Sequence, residues 1–171
     1  SQKISIITGA AGTGKSEILK KLYLQCENLY LSNAKKVPSN ADIPIPVFVR
    51  LRECVNGNLE ELLRNRLKDF EINLEEGKNS YIYFFDGLDE ISAIDFSGVL
   101  TCMIRLYNKA ATKSFVLASR TNSANLTSVI RSLNSKTYNV DPLKSSDVED
   151  YFKKLNSPEK QKILQEIKDK N

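Results

Sequence analysis

Eight residues near the start of the chain, Gly9-Ala10-Ala11-Gly12-Thr13-Gly14-Lys15-Ser16, fit the pattern G-x-x-x-x-G-K-[ST] without a gap. The residue types suit a phosphate. Its oxygens need many donors at short range, and glycines let backbone N–H groups turn inward and approach closely. A helix opening just after the loop, from Glu17 onward, adds unpaired N–H groups and the positive end of its dipole. Lys15 would reach the β- and γ-phosphates, and the Ser16 hydroxyl would ligate Mg²⁺.

A second constellation follows a run of aromatic and aliphatic residues. Tyr81-Ile82-Tyr83-Phe84-Phe85 leads straight into Asp86-Gly87-Leu88-Asp89-Glu90. Apolar on both faces, the run predicts a central parallel strand covered by helices. An acid at its C-terminal end suits a Mg²⁺ partner, and Asp86 holds that place. Gly87 keeps the backbone bare beside the phosphates. Asp89 or Glu90 would hold and polarise an attacking water. Arg120 ends a later apolar run, 115–118, and its always-charged fork suits a γ-phosphate. Arg50 and Arg52 are further cations, of the kind that solvent or ion pairs satisfy.

These side chains need elements to place them. Residues 4–8 read as the first strand. Ile18, Leu19, Leu22 and Cys26 repeat at helical spacing, with an expected helix end near Glu27. Residues 28–42 read as a polar connection with Leu29 and Leu31 packing beneath it. Residues 46–52 read as an edge strand, where prolines are tolerated. Asn58 and Glu61 have the spacing of a capping box, before a helix bearing Leu59, Leu62, Leu63, Leu67 and Phe70. Residues 77–79 read as a turn. Helices are expected over 96–109 and 124–133, with strands over 114–118 and 138–140. Helical periodicity returns after Pro142, with Val148, Tyr151, Phe152 and Leu155, then Ile163, Leu164 and Ile167. The expected division is a nucleotide-binding domain over 1–141 and the start of a helical part over 142–171. Strands alternating with helices predict an α/β fold with a parallel sheet.

Composition narrows the classes. The 171 residues are 41% hydrophobic and 27% charged, a globular balance. No apolar run approaches the roughly 18 residues of a membrane helix. The net charge of +4 is mild and mixed in sign, so nucleic acid is not indicated. The three cysteines, Cys26, Cys54 and Cys102, are widely spaced and no histidine is present. That excludes a zinc cluster and a histidine-based nucleophilic centre within these residues. It suits free thiols in a reducing, cytoplasmic compartment. The chain opens almost directly on its phosphate loop without an initiating Met, so the expectation is a domain of a longer protein, with no signal peptide.

Together these passages resemble the NACHT family of signal-transduction ATPases, within the STAND class and the ASCE division of P-loop NTPases. The phosphate loop carries the resemblance, with the 81–90 strand and its small residue after the first acid, and the 115–120 strand ending in Arg120. Residues 47–53 and 143–152 look like neighbouring family segments. The resemblance implies a three-layer fold with a parallel five-stranded sheet of order 5-1-4-3-2, helices on both faces and a C-terminal helical extension. It implies ATP or ADP with Mg²⁺, held by Gly9, Ala10, Ala11, Gly12, Thr13, Gly14, Lys15, Ser16 and Glu17. It also implies a slow ATPase switch that oligomerises on activation, with effector and sensor domains outside these residues and roles in immune or anti-phage defence. An AAA+-type motor or loader shares most of this core. A P-loop kinase fits less well, because it needs no water-activating acid and usually has an arginine-rich lid, absent here. Intact Lys15, Ser16 and Asp86 argue against a decayed interaction module.

Overall fold

The computed structural model describes residues 4–34, 43–68, 79–109 and 112–142, with 144, 146 and 147. By internal contacts the chain divides into Ser1–Val140 and Asp141–Asn171. In the second unit, the Lys144 N–H donates to Asp147 Oδ2 at 3.1 Å. The helices expected further along, the 77–78 part of the turn and Phe70 lie outside the described residues.

The first unit is built on a sheet of five strands among the described residues: β1 (Ile4–Gly9), β2 (Ile45–Arg50), β3 (Tyr81–Asp86), β4 (Thr112–Arg120) and β5 (Ser135–Asn139). Their order is β2-β3-β4-β1-β5, the expected order read from the opposite edge. Every pairing is parallel. Parallel neighbours need crossovers, and α1 (Lys15–Ala34), α2 (Leu59–Lys68), α3 (Ala93–Asn108) and α4 (Ala124–Ser132) supply them.

Strand alternation sends two side-chain sets to opposite faces. On one face Ile6, Val47, Tyr83, Phe85, Phe115 and Leu117 pack with Leu63 of α2, Met103 of α3 and Val129 of α4. On the other, Ile7, Phe84 and Ala118 lie under Leu19 of α1, flanked by half-buried Tyr23, Cys26 and Phe48. Aromatic rings stiffen the centre: Tyr83 stacks on Phe85 with centroids 5.7 Å apart, and Phe115 meets both edge-on at 5.6 and 5.5 Å.

Helix starts follow side-chain caps. Asn58 Oδ1 accepts the Glu61 N–H at 3.1 Å, and Asn58 Nδ2 donates to Glu61 Oε2 at 2.8 Å. Ser92 and Ser123 cap α3 and α4 in the same way.

Some boundaries differ from expectation. The first helix runs on to Ala34 rather than ending near Glu27. Its Asn and Ser residues sit on solvent-facing turns, where polar side chains are tolerated, and no Gly or Pro interrupts it. Leu29 and Leu31 therefore lie on the helix surface, 61% and 52% exposed, not beneath a connection. The second strand stops at Arg50, and Leu51–Glu53 form a 3₁₀ turn. Pro46 is accommodated because the Ile45 N–H already donates to Ser80 O, so position 46 faces the open edge. The fifth strand starts earlier, at Ser135, and its side chains are mostly exposed, which removes the apolar alternation that marks a strand in sequence. Burial pushes the Cys54 thiol up to about 11, so it is no nucleophile at neutral pH.

Phe115 is fully buried against the rings of Tyr83, Phe85 and Tyr107 on the main core face. Phe115→Ala is expected to lower stability by about 3–5 kcal/mol, checked by urea denaturation.

Candidate functional site

The expected site residues gather at the C-terminal edge of the sheet, where open α/β folds place ligands. The loop leaves β1 at Gly9, which pairs in register with Arg120 of β4. Gly14 adopts φ +84°, a left-handed conformation that side chains rarely take. It turns the chain into α1, whose Ile18 N–H donates back to Gly14 O at 3.0 Å. The loop closes on the Ala10 carbonyl, which accepts from Thr13 Oγ1 at 3.0 Å and from Lys15 Nζ at 2.6 Å. Ala11 and Gly12 are exposed along the loop, and Glu17 is exposed in the first turn of α1.

Asp86 ends β3 and is half-buried. Ser16 Oγ donates to Asp86 Oδ1 at 2.8 Å, so the loop and the strand acid meet directly. Gly87 then reverses the backbone at φ +75°, and Leu88–Glu90 form a 3₁₀ turn. A Cβ on Gly87 would sit 3.0 Å from Glu90 Cδ. Asn125 of α4 holds this turn, donating through Nδ2 to Leu88 O at 3.0 Å and Ile91 O at 3.2 Å.

The two later acids differ. Asp89 Oδ1 accepts the Arg120 backbone N–H at 2.9 Å, and Asp89 Oδ2 lies 3.0 Å from Arg120 Nε. Glu90 is more open, with Arg52 Nη1 at 3.9 Å from its Oε2. A cavity of about 150 Å³ lies among these groups, lined by Ala11, Lys15, Ser16, Asp86, Glu90 and Arg120 with their neighbours. Two roomier cavities, about 430 and 490 Å³, lie against α2 and include neither a loop residue nor a β3 acid, so size alone does not mark the site. Arg50, beside Asp86 in the β2–β3 register, lines the first of these instead.

The donor set fits magnesium. Ser16 Oγ and Asp86 Oδ1 are hard oxygen donors 2.8 Å apart. Among the described residues no three His, Cys, Asp or Glu side chains converge on a metal position. A divalent ion here would complete its shell with waters and with oxygens of a bound ligand, as Mg²⁺ does. Sequence reasoning missed Asn125, whose role depends on where α4 packs, and the Arg52–Glu90 approach, which joins two separate turns.

A glycine loop between β1 and α1, an acid closing β3, and an intervening strand on a parallel sheet define a P-loop NTPase fold. The chain belongs to the NACHT family: the family's NACHT domain model matches residues 3–159. No curated protein sequence matches the chain. Among solved structures it is similar to the crystal structure of Saccharomyces cerevisiae RIF2, at 17% identity and a TM-score of 0.49. That match covers 96% of this chain, which spans 62% of the other's length. At that level the likeness bears on neither ligand nor activity. No helix among the described residues is long and apolar enough to cross a membrane.

Gly87→Ala forces a side chain into left-handed backbone and against Glu90. It is expected to cost about 1–2 kcal/mol, read as a shifted urea midpoint.

Proposed function

We propose that this chain binds ATP with Mg²⁺ and hydrolyses it slowly, as a cytoplasmic switch. Its nucleotide state would control assembly of copies of the protein and an effector in another domain, with residues 142–171 beginning a helical part. The observation that carries the reading is the 2.8 Å contact between Ser16 and Asp86, the two groups that would share the metal. Membership of the NACHT family supports nucleotide as the ligand class.

Each residue has a role that follows from its chemistry. Backbone N–H groups of the loop and of the α1 N-terminus would hold phosphate oxygens. Lys15 donates to a neutral carbonyl, Ala10 O, and would exchange it for a charged phosphate oxygen, a stronger acceptor. Mg²⁺, when bound, would neutralise charge between the β- and γ-phosphates, with Ser16 and Asp86 as its protein donors. Glu90, nearly half exposed in the cavity wall, would orient and deprotonate water. Arg120 would stabilise charge developing on the γ-phosphate.

Titration calorimetry with ATP and Mg²⁺ on the full-length protein tests the assignment. Lys15→Ala is expected to weaken binding about 100-fold or more, and unchanged affinity would refute it. Glu90→Gln is expected to slow turnover about 100-fold or more while leaving the ATP Kd within about threefold. Light scattering with ATP and with ADP tests the switch; an identical mass in both states contradicts it.

A further inference from the structure

Asp89 and Glu90 are adjacent acids at one edge of the sheet, yet their surroundings separate their tasks. The Asp89 side chain is only 14% exposed, against 47% for Glu90. Both Asp89 oxygens are directed at a single residue. Oδ1 accepts the backbone N–H of Arg120 at 2.9 Å, and Oδ2 meets its Nε at 3.0 Å. One contact fixes the end of β4 and the other fixes the guanidinium. The ion pair lies on the Nε side of the guanidinium, a planar fork that carries five N–H donors. Arg120 lines the same cavity as Lys15 and Ser16.

The support behind Asp89 is rigid. Asn125 donates to the carbonyls on either side of the turn, Leu88 O and Ile91 O. Leu88 is fully buried. The acid therefore sits on a braced turn, while its target is a side chain 62% exposed. A long exposed arginine otherwise loses rotamer freedom when it meets an anion, and prior restraint reduces that loss.

We propose that Asp89 is a positioning residue that holds Arg120 aimed at the γ-phosphate, leaving Glu90 as the acid that handles water. The proposal rests on the reading of this cavity as a nucleoside triphosphate site. Asp89 then acts on discrimination between tri- and diphosphate, because Arg120 serves only the terminal phosphate.

Calorimetry on the full-length protein, with Mg²⁺ and either a non-hydrolysable ATP analogue or ADP, tests this. Asp89→Asn keeps an oxygen for the Arg120 backbone N–H but removes the charge that pairs with the guanidinium. It is expected to weaken the analogue about tenfold and leave ADP within about twofold. Arg120→Lys retains charge, lacks the fork and spares the backbone contact, so the same selective loss is expected. The Asp89→Asn/Arg120→Lys pair should lose little beyond either single variant. Wild-type discrimination in Asp89→Asn or in Arg120→Lys overturns the proposal, as do losses that add in full. Failure of the underlying site reading looks different: the wild-type protein binds neither nucleotide, or Lys15→Ala binds both as well as wild type does.

Discussion

The hydrogen bond from Ser16 to Asp86 joins residues 70 positions apart and is the contact around which the rest is arranged. Their strands are not neighbours. With β4 between them, β1 and β3 are separated by two strand spacings, about 10 Å. Ser16 spans that gap because it lies in the first turn of α1, which leaves β1 and packs across β4, β3 and β2. The intervening strand is also what places Arg120 between the loop and the acids. Sheet order, helix direction and site geometry are thus one constraint.

Holding that contact requires a stiff β3 followed at once by a sharp reversal. Stiffness comes from rings: Tyr81, Tyr83 and Phe85 stack along one face, and Phe115 of β4 wedges against two of them. Reversal comes from Gly87, the left-handed residue directly after Asp86. The short turn that follows presents Asp89 and Glu90 in different directions, one toward β4 and the other toward Arg52. Two chemically similar acids acquire different surroundings from one turn of backbone.

Much of this was legible in the residues alone. The loop pattern, the apolar run ending in Asp86 and the strand ending in Arg120 each announce their element locally, and alternation of strands with helices leads to a parallel sheet. Legibility failed where neighbours decide. Helix α1 outlasts Glu27 because polar residues on an exposed face do not stop a helix. Strand β5 is polar and mostly exposed, so pairing with β1 defines it rather than its own pattern. Asn125 shows nothing in sequence of its grip on the acid turn, which exists only once α4 packs there. Asp89 and Glu90 cannot be told apart by type or spacing, and only the position of Arg120 separates them.

Whether Ser16 and Asp86 hold a nucleotide-bound divalent ion decides the proposed function. The most direct test is a crystal structure of the protein with Mn²⁺ and a non-hydrolysable ATP analogue, with anomalous scattering used to locate the metal. The expected result is an anomalous peak within coordination reach of Ser16 Oγ, toward Asp86, with the phosphates cradled by the loop. A peak elsewhere, or phosphates bound away from the loop, would contradict it.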